Sequence, residues 1–203
     1  MEIDRKVEIK NKAKEINDLS EQFQLVHATY AVQECIKGFI KESHIKALKN
    51  LTSRIADRMQ QNLDTDKEFE EKKELEELIK RNQVSINIGY INISDDNIAR
   101  VIKVGNSSFH IYLAASLRDS ILKEDGEYNY DTIVKIRKLM SHELGHLILH
   151  TKDLIMEEST QGSLTICDDK KEEEADLFGN ELLQLRKDRN RKIRHDGGAD
   201  YLF

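Results

Sequence analysis

The sequence contains no proline, so the boundaries of its elements rest on Gly, Asn and Asp alone. Cysteine is nearly as scarce. Cys35 and Cys167 stand far apart without a C-x-x-C spacing, which excludes a disulfide framework and a thiolate zinc site and fits a reducing compartment. No segment approaches the ~18 apolar residues of a membrane-spanning helix. Residues 1–18 (MEIDRKVEIKNKAKEIND) are charged throughout, with no apolar core of a signal peptide. The expectation is a cytoplasmic protein with no membrane partner. A basic excess is missing too: the formal net charge is -6 and is not polarised, so nucleic acid as a partner has no electrostatic support. The one basic cluster, Arg186 to His195, reads as a helix end or solvated tail. No internal repeat is present.

What is there is a chain of 203 residues, 38% apolar and 34% charged, long enough to bury a core without a metal's help. Residues 1–82 show helical spacing and no strand signals: Ile16, Leu19, Phe23, Val26 and Tyr30, then Ile36, Phe39 and Ile40, then Ile45, Leu48, Leu51, Ile55 and Met59. Near Asn82 the period changes to two. Val84, Ile86 and Ile88 alternate, Gly89 suggests a bulge or kink, and Ile91 and Ile93 resume. VIKV (101–104) and FHIYL (109–113) flank GNSS as a hairpin. Asn129 or Asp131 can cap a helix with the stripe Ile133, Ile136, Met140, Leu144 and Leu147. A last helix begins near Asp168, with Ala175, Phe178, Leu182 and Leu185 on one side.

The chain is therefore expected to be α+β: N-terminal helices, then a small, mostly antiparallel sheet packed on two helices that carry the chemistry. The expected division is a helical region at 1–82, a zincin-like domain at 83–190 and a tail at 191–203.

The chemistry lies in SHELGHLILH (141–150), where His142-Glu143-Leu144-Gly145-His146 forms H-E-x-x-H. Spacing of four on a helix puts both imidazoles on one face, where they can hold one tetrahedral Zn2+. Glu143 lies beside that face and can reach a metal-bound water without joining the coordination sphere. A metzincin would need Gly at 149 and His at 152, but Leu149 and Lys152 stand there. His150 continues the i+4 line, yet each such step drifts by about 40°. It reads as a neighbour of the ligands or a substrate-facing residue, with a solvent-exposed histidine as the plain alternative.

The missing ligand is sought in KKEEEADLFGNELL. Glu173 points away from the apolar stripe, and Glu172 and Glu174 lie at its opposite margins, so periodicity does not choose between them. Glu172 shares its side with Ala175 and Gly179, small residues that permit close approach of another helix, and Gly145 offers the matching gap. Asp176, at i+4, can accept the second N–H of a ligand histidine. Glu172 as a mere helix N-terminal acid, boxed with Asp169, is the plain alternative.

The pair of motifs resembles the ImmA/IrrE family of zinc peptidases, which joins an HExGHxxxH-like helix to a second helix patterned E-x-E-A-N/D-x-F-A-x-x-L-L. The counterparts are HELGHLILH (142–150) and EEEADLFGNELL (172–183), within a resemblance spanning about Val84 to Leu185. It implies Glu172 as third zinc ligand and Asp176 as its partner acid, and a regulatory protein substrate such as a transcriptional repressor. Arg137 stands where the family often has Arg. Lys138, Ser141, Gly179 and Gln184-Leu185 depart from the family's pattern, as does an insert at 123–131. The resemblance does not account for residues 1–82.

The expected activity is peptide hydrolysis, with Glu143 as base. His110, Tyr112 and His150 are the guesses for an oxyanion donor. A catalytically silent zinc-binding interaction module is the competing reading, against which an intact Glu143 argues. A metal-free helical interaction protein is the third.

Overall fold

The computed structural model describes residues 2–19, 25–81, 83–93, 99–104, 107–156 and 169–195. Within them the order is α1 (Glu2–Leu19), α2 (Leu25–Gln60), α3 (Asp66–Arg81), β1 (Ser85–Ile91), β2 (Arg100–Val104), β3 (Ser108–Ala114), α4 (Ala115–Asp119), α5 (Tyr130–Met156) and α6 (Asp169–His195). The protein is mixed α+β and mostly helical, with a three-stranded sheet. No described helix is long and apolar enough to cross a membrane.

Two compact units form. One unites the described residues up to Gln33 with those from Ser85 onward; the other is Glu34–Val84. The latter is a helical hairpin of residues 34–60 of α2 and of α3. Its turn is closed by Leu63 N–H donating to Arg58 O and by Asn62 at φ 52°, and Arg58 and Arg54 pair with Glu68 across it. Within the first unit α1 packs with α6. Helical spacing identifies a buried stripe without saying what covers it. The buried stripe of α1 is Ile9, Ala13 and Ile16, whereas Leu19 and Tyr30, expected on a stripe with Ile16, are exposed. Phe23 falls outside the described residues.

The strand order is β1-β3-β2. β2 and β3 pair antiparallel, as the expected hairpin requires, but β1 pairs parallel with β3, so the sheet is mixed rather than mostly antiparallel. Alternation marks a strand and its faces, not the direction of its neighbour. Gly89 causes no bulge: the ladder runs through it to Tyr112, and an added Cβ would meet the Tyr112 ring at 3.1 Å. The glycine makes room for a cross-strand aromatic. On β3, Phe109, Ile111 and Leu113 alternate into the core, and β2 and β3 lie against α5.

Helix α5 starts where Asn129 Oδ1 accepts the Thr132 N–H at 3.3 Å, so Asn129 is the cap of the two residues considered. Its buried side carries Ile133, Met140, Leu144, Leu147 and Ile148. Ala175, Phe178 and Leu182 do the same for α6. α6 runs to His195, so residues 191–195 of the expected tail are helical, and 196–203 fall outside the described residues.

The α5–α6 contact is close because both helices offer glycine at it. A Cβ on Gly145 would lie 2.9 Å from Ala175 O, and one on Gly179 would lie 3.0 Å from His142 N. These notches bring the start of α6 against the H-E-x-x-H turn of α5.

Candidate metal centre

Successive turns of α5 present His142 and His146, and their Nε2 atoms lie 2.9 Å apart. The first turn of α6 supplies Glu172, whose carboxylate oxygens lie 3.1 Å from His142 Nε2 and 3.4 Å from His146 Nε2. All three ligand atoms lie within 4.8 Å of one another, the arrangement that can hold a metal ion. Ligands bound tetrahedrally at 2.0–2.1 Å stand about 3.3 Å from each other, so the observed spacings are close to those of one small ion's coordination shell.

The hydrogen-bond partners of the two rings are compatible with a cation at the centre. His142 Nδ1–H donates to Asp176 Oδ1 at 2.7 Å, which leaves the lone pair of Nε2 directed at the other two ligands. His146 is held below its usual range, at about 3, by burial first and then by the nearby His142, His150 and Lys171. Bare imidazole nitrogens and a carboxylate facing one another are acceptors that a cation satisfies. Imidazole and carboxylate suit zinc.

Glu143 is buried at 5% exposure. Burial pushes its carboxyl up to about 7; the Glu172 charge adds to this, while His142 and a hydrogen bond from the backbone of Val101 pull the other way. The carboxyl is thus next to the ligands and poised near neutrality, not paired off in a salt bridge. Glu172 is 45% exposed at its side chain, so the cluster has an open side.

His150 is only 3% exposed, which disposes of the solvent-exposed alternative. Its Nδ1 lies 3.3 Å from His146 Nδ1 and its Nε2 lies 3.2 Å from Glu174 Oε2. It therefore sits behind His146, both nitrogens engaged within the protein. Glu174 is gripped by Arg5 of α1, through Nε at 3.1 Å and Nη2 at 2.6 Å. That hydrogen bond is the main reason its carboxyl lies below the usual range.

Glu172 and Glu174, which the apolar stripe left undecided, thus take different places: Glu172 lies among the ligand atoms and Glu174 behind His150. His110 and Tyr112 alternate onto the face of β3 opposite Phe109, Ile111 and Leu113, and bond to each other at 3.0 Å. Among the described residues they are not part of this candidate cluster. Arg5 carries no signal in the sequence: nothing in its neighbourhood distinguishes it from the other cations of α1. Compared with protein-family models, with curated proteins and with solved structures, the chain matches none.

Proposed function

We propose that the chain is a zinc-dependent metallopeptidase acting on a protein substrate, with His142, His146 and Glu172 as ligands and Glu143 as the base. The observation that carries the reading is a buried carboxyl, raised to about 7, beside three converging ligands with one open side. A structural zinc site is closed by four protein groups and has no use for an acid–base residue at its edge. When bound, zinc acidifies a coordinated water to near neutrality and polarises the scissile carbonyl.

The chain's own residues do the rest. Glu143 takes the water's proton on its carboxylate and returns it to the departing amine. Asp176 and His150 hold the ligand rings by their far nitrogens. A polypeptide substrate is supported by β2, an edge strand whose Val101 backbone reaches Glu143, since edge strands accept extended peptides through main-chain pairing. The likeness of the two helical motifs to the ImmA/IrrE family supports a regulatory protein, such as a repressor, as that substrate.

The test is proteolysis in a lysate of the source cells, read by mass spectrometry of newly formed protein N-termini. Zinc-loaded wild type is expected to produce termini that Glu143→Gln and chelator-treated wild type do not. Identical sets of termini in all three samples would remove the peptidase reading.

A further inference from the structure

A metal-ligating histidine must present a bare nitrogen, so the proton on its other nitrogen needs an acceptor. For His142 that acceptor is Asp176. For His146 it is another imidazole, His150 Nδ1 at 3.3 Å, and two neutral imidazoles facing each other do not by themselves decide which one donates. The decision is made on the far side of His150. Its Nε2 stands 3.2 Å from Glu174 Oε2, and a carboxylate only accepts. His150 therefore keeps its proton on Nε2 and leaves Nδ1 bare. His146 must then donate from Nδ1, which frees its Nε2 for the cation. For neutral rings no other placement of protons satisfies both contacts.

Glu174 is held in turn by the two-pronged grip of Arg5 from α1. We infer that Arg5, Glu174 and His150 are positioning residues for His146, a relay that fixes the tautomer and orientation of a metal ligand from the first helix of the chain. This rests on the zinc site proposed above and adds to it that α1 is part of the metal centre. The plain alternative is that Arg5 and Glu174 only fasten α1 to α6. That fastening has other means: Lys10 pairs with Glu181 at 3.7 Å, and Ile9, Ala13 and Ile16 are buried. The buried ring of His150 has no need to lie between them if docking is the whole purpose.

The test measures zinc affinity of the full chain by competition with a chromophoric chelator, and the visible absorption bands of the cobalt-substituted protein. Glu174→Met should lower zinc affinity about 10- to 100-fold and shift the cobalt bands, the usual size of effect for a residue behind a ligand histidine. Glu174→Gln keeps an acceptor oxygen for His150 and should recover most of the loss. Arg5→Met should weaken zinc binding, Arg5→Lys less so, and Lys10→Met should leave it unchanged. If Glu174→Met does not fold, as read by circular dichroism, the comparison of Arg5→Met with Lys10→Met decides. Wild type that binds zinc while every variant binds it equally overturns the relay and leaves the zinc site standing. Lys10→Met as damaging as Arg5→Met overturns it in favour of docking. Wild type that takes up no zinc overturns both.

Discussion

His142 Nδ1 lies 2.7 Å from Asp176 Oδ1, a hydrogen bond between α5 and α6 that aims the opposite nitrogen of the ring at Glu172 and His146. Asp176→Ala removes the acceptor, and the ring is then free to turn and change tautomer. Zinc affinity is expected to fall about 10- to 100-fold with little change in the unfolding temperature of the metal-free protein. Chelator competition and thermal denaturation of the same preparations check this.

Glu143→Gln should abolish hydrolysis while making the metal-free protein more stable at alkaline pH. The folded state raises the Glu143 carboxyl from 4.5 to about 7, so folding favours its protonated form. The contribution of this group to stability is intact below pH 4.5 and is lost as the pH rises to about 7. The glutamine has no such loss. Urea unfolding should therefore show the two proteins drawing apart between pH 4.5 and 7, up to about 3 kcal/mol in favour of the variant. Parallel curves at pH 5 and pH 8 would contradict the burial of a charge here.

Gly145→Ala sets two effects against each other. Alanine in place of glycine favours a helix by about 1 kcal/mol. The new Cβ would lie 2.9 Å from Ala175 O and 3.0 Å from Ala175 Cα, backbone atoms of α6 that cannot rotate away. Overpacking of this kind costs about 1–3 kcal/mol, so the clash prevails, and the forced separation also carries Glu172 away from the histidines. Lower stability together with weaker zinc binding is the expected result.

Ser141→Ala should be neutral or stabilising. The hydroxyl is fully buried without a hydrogen-bond partner in the structure, next to the Gly179 notch. Removing an unsatisfied hydroxyl returns up to about 1–3 kcal/mol of desolvation, with zinc affinity unchanged. Chemical denaturation measures the gain, and a clear loss would mean that the hydroxyl has work in the site.

The parts of this arrangement that were legible in the sequence are those governed by spacing along one helix. The i+4 step gives His142 and His146 one face, and the small side of α6, Ala175 and Gly179, marks where α5 comes close and so which acid comes with it. The rest depends on meetings between distant segments. Arg5 lies 169 residues from Glu174, and only the packing of α1 on α6 makes them partners. His150 looked ambiguous because drift along the helix says only that it leaves the ligand face, whereas its role comes from the acid facing it. The parallel pairing of β1 with β3 and the seating of Tyr112 over Gly89 were hidden for the same reason. Alternating residues specify faces, and neighbours specify everything else.

The central claim is that His142, His146 and Glu172 hold one ion, and the most direct test is elemental analysis of protein purified without added metal. Wild type should carry about one zinc per chain, and His146→Ala and Glu172→Ala should each lose most of it while remaining folded. Zinc retained in full by the Glu172→Ala protein, or wild type that carries none and takes up none on titration, would contradict the account.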